Sequence, residues 1–342
     1  MSVIAISLKE QWEQLKAENP KLRIRDAAKQ LETSEAQLVA LGTGTSATRL
    51  EGDWKEFLKE IITLDKVMAL TRNDDAVHER KGVYDNIEFH GPVGTVLNPD
   101  IDLRLFMMHW AHGYSVAEAD RLSFQFFDRS GEAVHKIYCT VGSNEEAFHA
   151  LTAKYKAAEQ TVELQTVAYP PAPAEKPDSE IDAAAFQEGW KSITDTHQFY
   201  GLLGKHGVTR SQAMRLAPEG FVKEVDNDIT RKMLQAASER QVPIMVFVGN
   251  RGCIQIHTGE VKKVMEAGPW YNVMDPDFNL HLRETSIAKS FIVKKPSEDG
   301  TITAVEVYDT KGEMIVQFFG KRKPGIPELP EWAQLIQDLT QF

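Results

Sequence analysis

The chain predicts an α+β fold built twice in tandem, and three observations carry that prediction. Short apolar runs separated by polar and glycine turns read as strands of an antiparallel sheet. Stretches with helical spacing flank those runs on both sides. The same punctuation then returns further along the 342-residue chain, with Asn250 following Asn73 by 177 positions.

Taken in order, residues 8–18 and 24–41 read as helices, the second stopping at Gln37-Leu-Val-Ala-Leu41-Gly42. The loop Gly42-Thr-Gly44-Thr-Ser-Ala47 has the glycines of a dinucleotide-binding turn, but it follows a helix rather than a strand, so it reads as a connector. A helix over 51–63 precedes strands at 66–71, 76–80, 84–90, 93–97, 101–107, 121–127 and 133–140, and a helix at about 144–158 closes this half. The segment Tyr169-Pro-Pro-Ala-Pro-Ala-Glu-Lys-Pro177 cannot easily join a helix or a central strand and reads as a linker. The expected division is therefore an N-terminal repeat over 1–160, a Pro-rich linker over 161–182 and a C-terminal repeat over 183–342, ending in a helix at 330–340.

The repeat can be checked residue by residue. The spacing of 177 also pairs Val67 with Ile244, Met68 with Met245, Gly82 with Gly259, Gly91-Pro92 with Gly268-Pro269, Pro99-Asp100 with Pro276-Asp277, Ser34 with Ser211 and Ala36 with Ala213. Trp12 and Trp190 stand 178 apart, and beyond Pro296–Gly300 the spacing grows to 181, pairing Asp128 with Asp309 and Gly131-Glu132 with Gly312-Glu313. Shared glycines and prolines are what a common set of turns requires. The residues that break the symmetry say more about function. His197 falls opposite Pro20, and His281 opposite Arg104, so a site using either residue is not copied in the other half.

A formal charge of −11 argues against broad attachment to nucleic acid or to an anionic membrane, leaving small molecules as the expected partners. Only Cys139 and Cys253 are present, without paired spacing, so neither a disulfide framework nor a cysteine-rich metal site is expected. The N-terminal residues lack the pattern of a secretory signal, and no run of eighteen apolar residues occurs, so a cytoplasmic location is expected. His109 and His112 form a His-x-x-His pair that could hold zinc on a helix, but no third ligand has helpful spacing.

One stretch suggests a site. If residues 196–206 are helical, His197, Tyr200, Gly201 and Gly204 stack along one side. Each glycine costs a helix interior about 1 kcal/mol relative to alanine, so two of them beside an imidazole suggest that something flat comes close to the backbone.

The combination Asp195-Thr-His197-Gln-Phe-Tyr-Gly-Leu-Leu, with Ile101-Asp-Leu-Arg104-Leu-Phe106, Leu70-Thr-Arg-Asn73, Ala76-Val-His78-Glu and Leu280-His-Leu-Arg283-Glu, resembles the haem-utilisation proteins of Gram-negative bacteria known as HemS, HmuS and ChuS. The resemblance covers nearly the whole chain, including the duplication and the linker. It implies stacked antiparallel sheets flanked by helix pairs, with one haem in a cleft between the halves. By resemblance, His197 matches the proximal iron ligand and Arg104 a distal arginine. Arg210, Lys295 and Gln317 match positions at the propionate end, Phe106 and Phe247 positions flanking the porphyrin, and His78 a second, weaker haem contact. Phe319 stands where a tyrosine can occur in the family. Taken alone, His78 reads as a solvent-facing strand histidine, and Arg104 as a strand arginine pairing with one of the chain's many acidic groups.

The resemblance implies a cytoplasmic protein that opens the haem ring and frees iron, with haem as ligand and substrate and with an external electron donor plus dioxygen or peroxide. The competing expectation is a carrier that takes haem from an inner-membrane ABC importer and hands it to a separate haem oxygenase. A neutral imidazole suits iron, a permanently cationic arginine suits negative charge developing on an oxidant, and Arg210 and Lys295 suit carboxylates through charge-assisted bonds.

Overall fold

The structure, a computed structural model, describes residues 7–323 and 325–342. The first repeat opens with helices α1 (Leu8–Glu18), α2 (Ile24–Gln30) and α3 (Glu35–Ala40). The single helix expected over 24–41 is thus two. Its break lies at Glu32, held at φ 51°, and Ser34 begins the second piece by accepting from Gln37 N while the Gln37 side chain caps back. That capping box offers the backbone a better partner than continuing the helix does. Strand β1 (Ala47–Leu50) leads to α4 (Trp54–Glu60), shorter than the expected 51–63 because Asp53 caps its start and a 3-10 turn over Ile61–Leu64 ends it.

Eight more strands follow in this repeat: β2 (Asp65–Arg72), β3 (Ala76–Gly82), β4 (Ile87–His90), β5 (Val93–Leu97), β6 (Asp102–Phe106), β7 (His112–Glu118), β8 (Arg121–Phe127) and β9 (Ala133–Ser143), before α5 (Glu145–Lys154). Strand β7 was not expected. Its sequence, His-Gly-Tyr-Ser-Val-Ala-Glu, has little β-branched content, and it forms because β1 and β8 pair with it on both sides. The helical setting considered for a His109/His112 zinc pair is accordingly corrected. His112 starts a strand and His109 lies in a 3-10 turn, its Nδ1 3.2 Å from the Tyr169 hydroxyl. Among the described residues no cluster of three or more His, Cys, Asp or Glu side chains could hold a metal ion.

The second repeat begins with α6 (Ala183–Ser192), α7 (Gln198–His206) and α8 (Arg210–Arg215), then β10 (Val222–Val225) and α9 (Ile229–Glu239). Its remaining strands are β11 (Ile244–Gly249), β12 (Cys253–Gly259), β13 (Val264–Ala267), β14 (Trp270–Met274), β15 (Phe278–Arg283), β16 (Lys289–Ser297), β17 (Gly300–Tyr308) and β18 (Met314–Gly320), with α10 (Pro330–Thr340) last. The architecture is the expected duplicated α+β one. Two nine-stranded antiparallel sheets run in the orders β1-β7-β8-β9-β2-β3-β15-β14-β13 and β10-β16-β17-β18-β11-β12-β6-β5-β4. Each order becomes the other when every strand is replaced by its repeat equivalent.

The matched turns show why the duplication was legible. Asn73 Oδ1 accepts from Asp75 N and Ala76 N, and Asn250 Oδ1 accepts from Gly252 N and Cys253 N. Asp128 and Asp309 each accept from backbone N–H groups two and four residues on. Gly131 and Gly312 take φ 86° and 79°, and a Cβ on either would meet Ser34 Oγ at 2.2 Å or Ser211 Oγ at 2.9 Å. Only glycine satisfies both the sign of φ and that close approach.

Two compact units result. The first comprises Met1–Thr71, Lys81–Pro170 and Asn250–Ile254; the second comprises Arg72–Arg80, Pro171–Gly249 and Gln255–Phe342. Inside the first, the exchanged segment is anchored by Asn250 Nδ2 donating to Val134 O and by Trp110 Nε1 donating to Gly252 O, next to a core of Phe57, Phe124, Phe126, Leu103 and Ile137. Inside the second, Asn73 Nδ2 donates to Gly249 O and Ile315 O. That unit has a core around Met233, Val246, Leu280 and Val305, and a second cluster of Phe186, Trp190, Phe199, Leu203, Val293 and Tyr308 that fixes α6 and α7. Both cysteines are free, Cys139 on β9 and Cys253 on β12. No helix among the described residues is long and apolar enough to cross a membrane.

Candidate functional site

In the second unit, Trp190 from α6 packs its ring 4.4 Å from that of Phe199 on α7, which sets the start of α7 against a buried apolar layer. His197 occupies the N-cap of α7 with helical angles (φ −66°, ψ −26°), so it continues the helical face expected over 196–206. Asp195, two residues earlier, accepts from His197 N at 2.8 Å and stands 2.6 Å from His197 Nδ1. The bonds from His197 hold the Asp195 carboxyl below the usual range. With Nδ1–H given to Asp195, the imidazole is fixed in the tautomer whose Nε2 lone pair is available, the arrangement that orients a metal-binding histidine. The His197 side chain is 80% exposed.

The face beside it is open. Tyr200 is exposed, and a Cβ placed on Gly201 or Gly204 would meet nothing within 4 Å. Internal packing therefore does not demand glycine at either position.

A second group of expected residues meets on one carboxylate. Glu306, fully buried on β17, receives Arg210 Nη2 at 2.8 Å, Lys295 Nζ at 2.6 Å and Gln317 Nε2 at 2.9 Å on Oε1. Its Oε2 receives Arg210 Nε at 3.2 Å and the Tyr308 hydroxyl at 2.5 Å. Burial pushes Glu306 toward protonation, but the charges of Arg210 and Lys295 outweigh it and hold the carboxyl far below its ordinary value. Lys295 is lowered to about 8 by burial and by Arg210, even though it is paired with Glu306. Two cations share one anion there. The Phe199 ring lies 4.7 Å from Lys295 Nζ and 5.6 Å from the Arg210 guanidinium carbon, linking this cluster to α7.

The sheet register continues the site. Glu306 is opposite Gln317, and Gln317 is opposite Phe247, so the three form one cross-strand row over β17, β18 and β11. The Phe247 ring lies 5.1 Å from that of Phe319. A charged, donor-rich end thus grades into an aromatic surface.

Of the residues expected at the site, the structure brings Arg210, Lys295 and Gln317 together and adds Phe247 to the row of Gln317, with His197 two residues from Phe199, whose ring faces Arg210 and Lys295. Arg104 and Phe106 belong to β6 of the first unit. There the Arg104 guanidinium is paired with Asp102 and donates to Leu103 O at 3.2 Å. Burial raises the Asp102 carboxyl, against the lowering influence of Arg104. His78 is not solvent-facing, as its sequence context suggested, but fully buried on β3 with its ring 4.9 Å from Phe278. Strand β3 pairs with β15, which puts Leu280 opposite His78 in an apolar layer.

Sequence reasoning missed Glu306. Glu306 had a faint signal, a lone acid in the apolar run Ile302-Thr-Ala-Val-Glu306-Val-Tyr308. A charge in a buried strand needs a partner.

The model of the haemin-degrading HemS.ChuX domain matches residues 32–155 and again 207–339. The Hemin transport protein HmuS of Yersinia pestis is 39% identical over 339 residues, covering 97% of each chain. The solved structure of holo-PhuS, a heme-binding protein from Pseudomonas aeruginosa, is 46% identical, covers 95% of each chain and superposes with a TM-score of 0.93. ChuS, an E. coli heme oxygenase, is 35% identical over 96% of this chain and 98% of its own, with a TM-score of 0.87.

Proposed function

The chain belongs to the HemS family of haemin-degrading HemS.ChuX domain proteins, and from that premise we propose that it binds haem through His197 and opens the haem ring to release iron. The observation that carries the binding reading is the exposed imidazole whose Nδ1 is held by Asp195 at 2.6 Å. The donor set fits the group. His197 supplies a neutral nitrogen for iron, Gly201 and Gly204 leave the neighbouring helix face without side chains, and Arg210, Lys295 and Gln317 supply donors for carboxylates.

When bound, haem supplies the redox chemistry, drawing on an external electron donor with dioxygen or peroxide. The protein's own part is positional and electrostatic. Asp195 fixes the His197 tautomer and the orientation of its ring. Arg104 is a cation at any working pH and a multiple donor, and its assigned role is to stabilise developing negative charge; release from Asp102 would free its donors for that role.

That Asp102 pairing favours a second reading, in which the protein carries haem from a membrane importer to a separate haem oxygenase and Arg104 is structural. Haem titration of wild type, His197→Ala and Arg104→Ala, followed by ascorbate or peroxide under air, separates the readings. The degrading reading expects Soret loss and iron release that need both residues. Tight one-to-one binding with an unchanged Soret band under every donor would favour the carrier, and absence of saturable binding would sink both.

A further inference from the structure

The cluster around Glu306 contains more than donors for a ligand. Resting on the haem reading above, we infer that Glu306 is a specificity-determining residue, a built-in counter-anion that leaves its cradle one positive charge in excess and so fits it to a single ligand carboxylate. Arg210 and Lys295 bring two positive charges and Glu306 one negative charge, and no other ionic partner of these three occurs among the described residues.

The hydrogen bonding agrees with the charge count. A carboxylate has about four lone-pair sites, and the five bonds from Arg210, Lys295, Gln317 and Tyr308 occupy the capacity of Glu306. A guanidinium carries about five N–H donors and an ammonium about three, so both cations keep donors in hand after bonding Glu306. Lys295 is almost wholly buried, whereas the Arg210 side chain is 29% exposed, which gives the cluster an outward edge.

The internal repeat shows that the fold does not require this arrangement. Gln125 stands at the equivalent of Glu306, Lys136 at that of Gln317, Glu118 at that of Lys295 and Thr33 at that of Arg210. Gln125 is itself buried on β8, so a strand in this setting accepts the neutral amide. The charge at Glu306 therefore serves something particular to the second repeat.

The full-length protein should be titrated with haem, its monomethyl ester and its dimethyl ester, following the Soret band. With one uncompensated charge, wild type should lose no more than about threefold in affinity on losing the first carboxylate and at least about tenfold on losing the last, since a charge contact in a partly buried site outweighs a solvated one. Glu306→Gln removes the counter-anion, and the preference for diacid over monoester should then rise at least about tenfold. The double variant Glu306→Gln/Lys295→Met returns the excess to one charge and should restore the wild-type pattern.

A merely structural Glu306 would predict that Glu306→Gln weakens all three ligands equally. That result, or equal drops for the two carboxylates in wild type, would overturn the inference; the wild-type series decides the matter even if a variant does not fold. Failure of wild type to bind any of the three would instead overturn the haem reading, and this inference with it.

Discussion

At the scale of the residue, the site turns on how His197 is held. Its Nδ1 is committed to Asp195, an acceptor only two residues away, so tautomer and ring orientation are set locally. Asp195→Asn leaves an amide that can present N–H as readily as oxygen to the ring, so the iron-binding tautomer loses its selection. Haem affinity should fall about 10–100-fold, the usual consequence of losing an outer-shell partner, while the denaturant midpoint moves little because Asp195 is largely exposed. His197→Ala should abolish the histidine-ligated Soret spectrum altogether. If Asp195→Asn leaves affinity unchanged, the Asp195 contact is incidental.

At the scale of the element, α7 is a helix whose sequence opposes its own stability on one face. Gly201 and Gly204 each lower helix propensity by up to about 1 kcal/mol relative to alanine, yet a Cβ at either would touch nothing. Gly204→Ala should therefore raise resistance to urea while weakening haem binding, and a variant gaining stability without losing affinity would remove the reason given for the glycine. Gly131→Ala must behave in the opposite way. Its φ of 86° and the 2.2 Å approach to Ser34 Oγ leave no room for a methyl group, so it should destabilise the first unit. Helical spacing picked out the first kind of glycine from the sequence. The 177- and 181-residue spacings picked out the second, because turns need it in both copies.

At the scale of the whole molecule, buried titratable groups set an acid limit. Burial lowers His135 and His257 to about 3, and it raises Glu328 to about 7. Each histidine has a folded value below its unfolded one near 6.5, so the unfolded chain binds the extra proton and stability falls as pH drops from about 6.5 toward 3. Glu328 acts with opposite sign, its stabilisation present below about 4.5 and lost as pH rises through about 7. On acidification from about 6.5 to 4.5 the two histidines outweigh the one glutamate, and His109 and His112, both lowered by burial, act in the same direction, so stability falls. Below that range Glu306, whose value is depressed, adds to the loss. Urea midpoints across this window should rise with pH. Glu328→Gln should steepen that rise, and His257→Phe should flatten it; a flat profile in wild type would contradict the burial assigned to these groups.

The sequence alone determined the duplication, the antiparallel α+β class and the glycine-flanked histidine. Those features rest on local rules, namely strand runs, turn residues that recur because the same turn is made twice, and helical spacing along one face. Family resemblance supplied Arg210, Lys295, Gln317 and Phe247 as a set without saying what joins them. Only the tertiary structure decided that three of these converge on Glu306, that Arg104 is paired with Asp102, that His78 is buried and that β7 exists. The row of Glu306, Gln317 and Phe247 in particular depends on separate strands being registered side by side. Registry places a charge beside its partner, and no local pattern in the chain records which strand will be the neighbour.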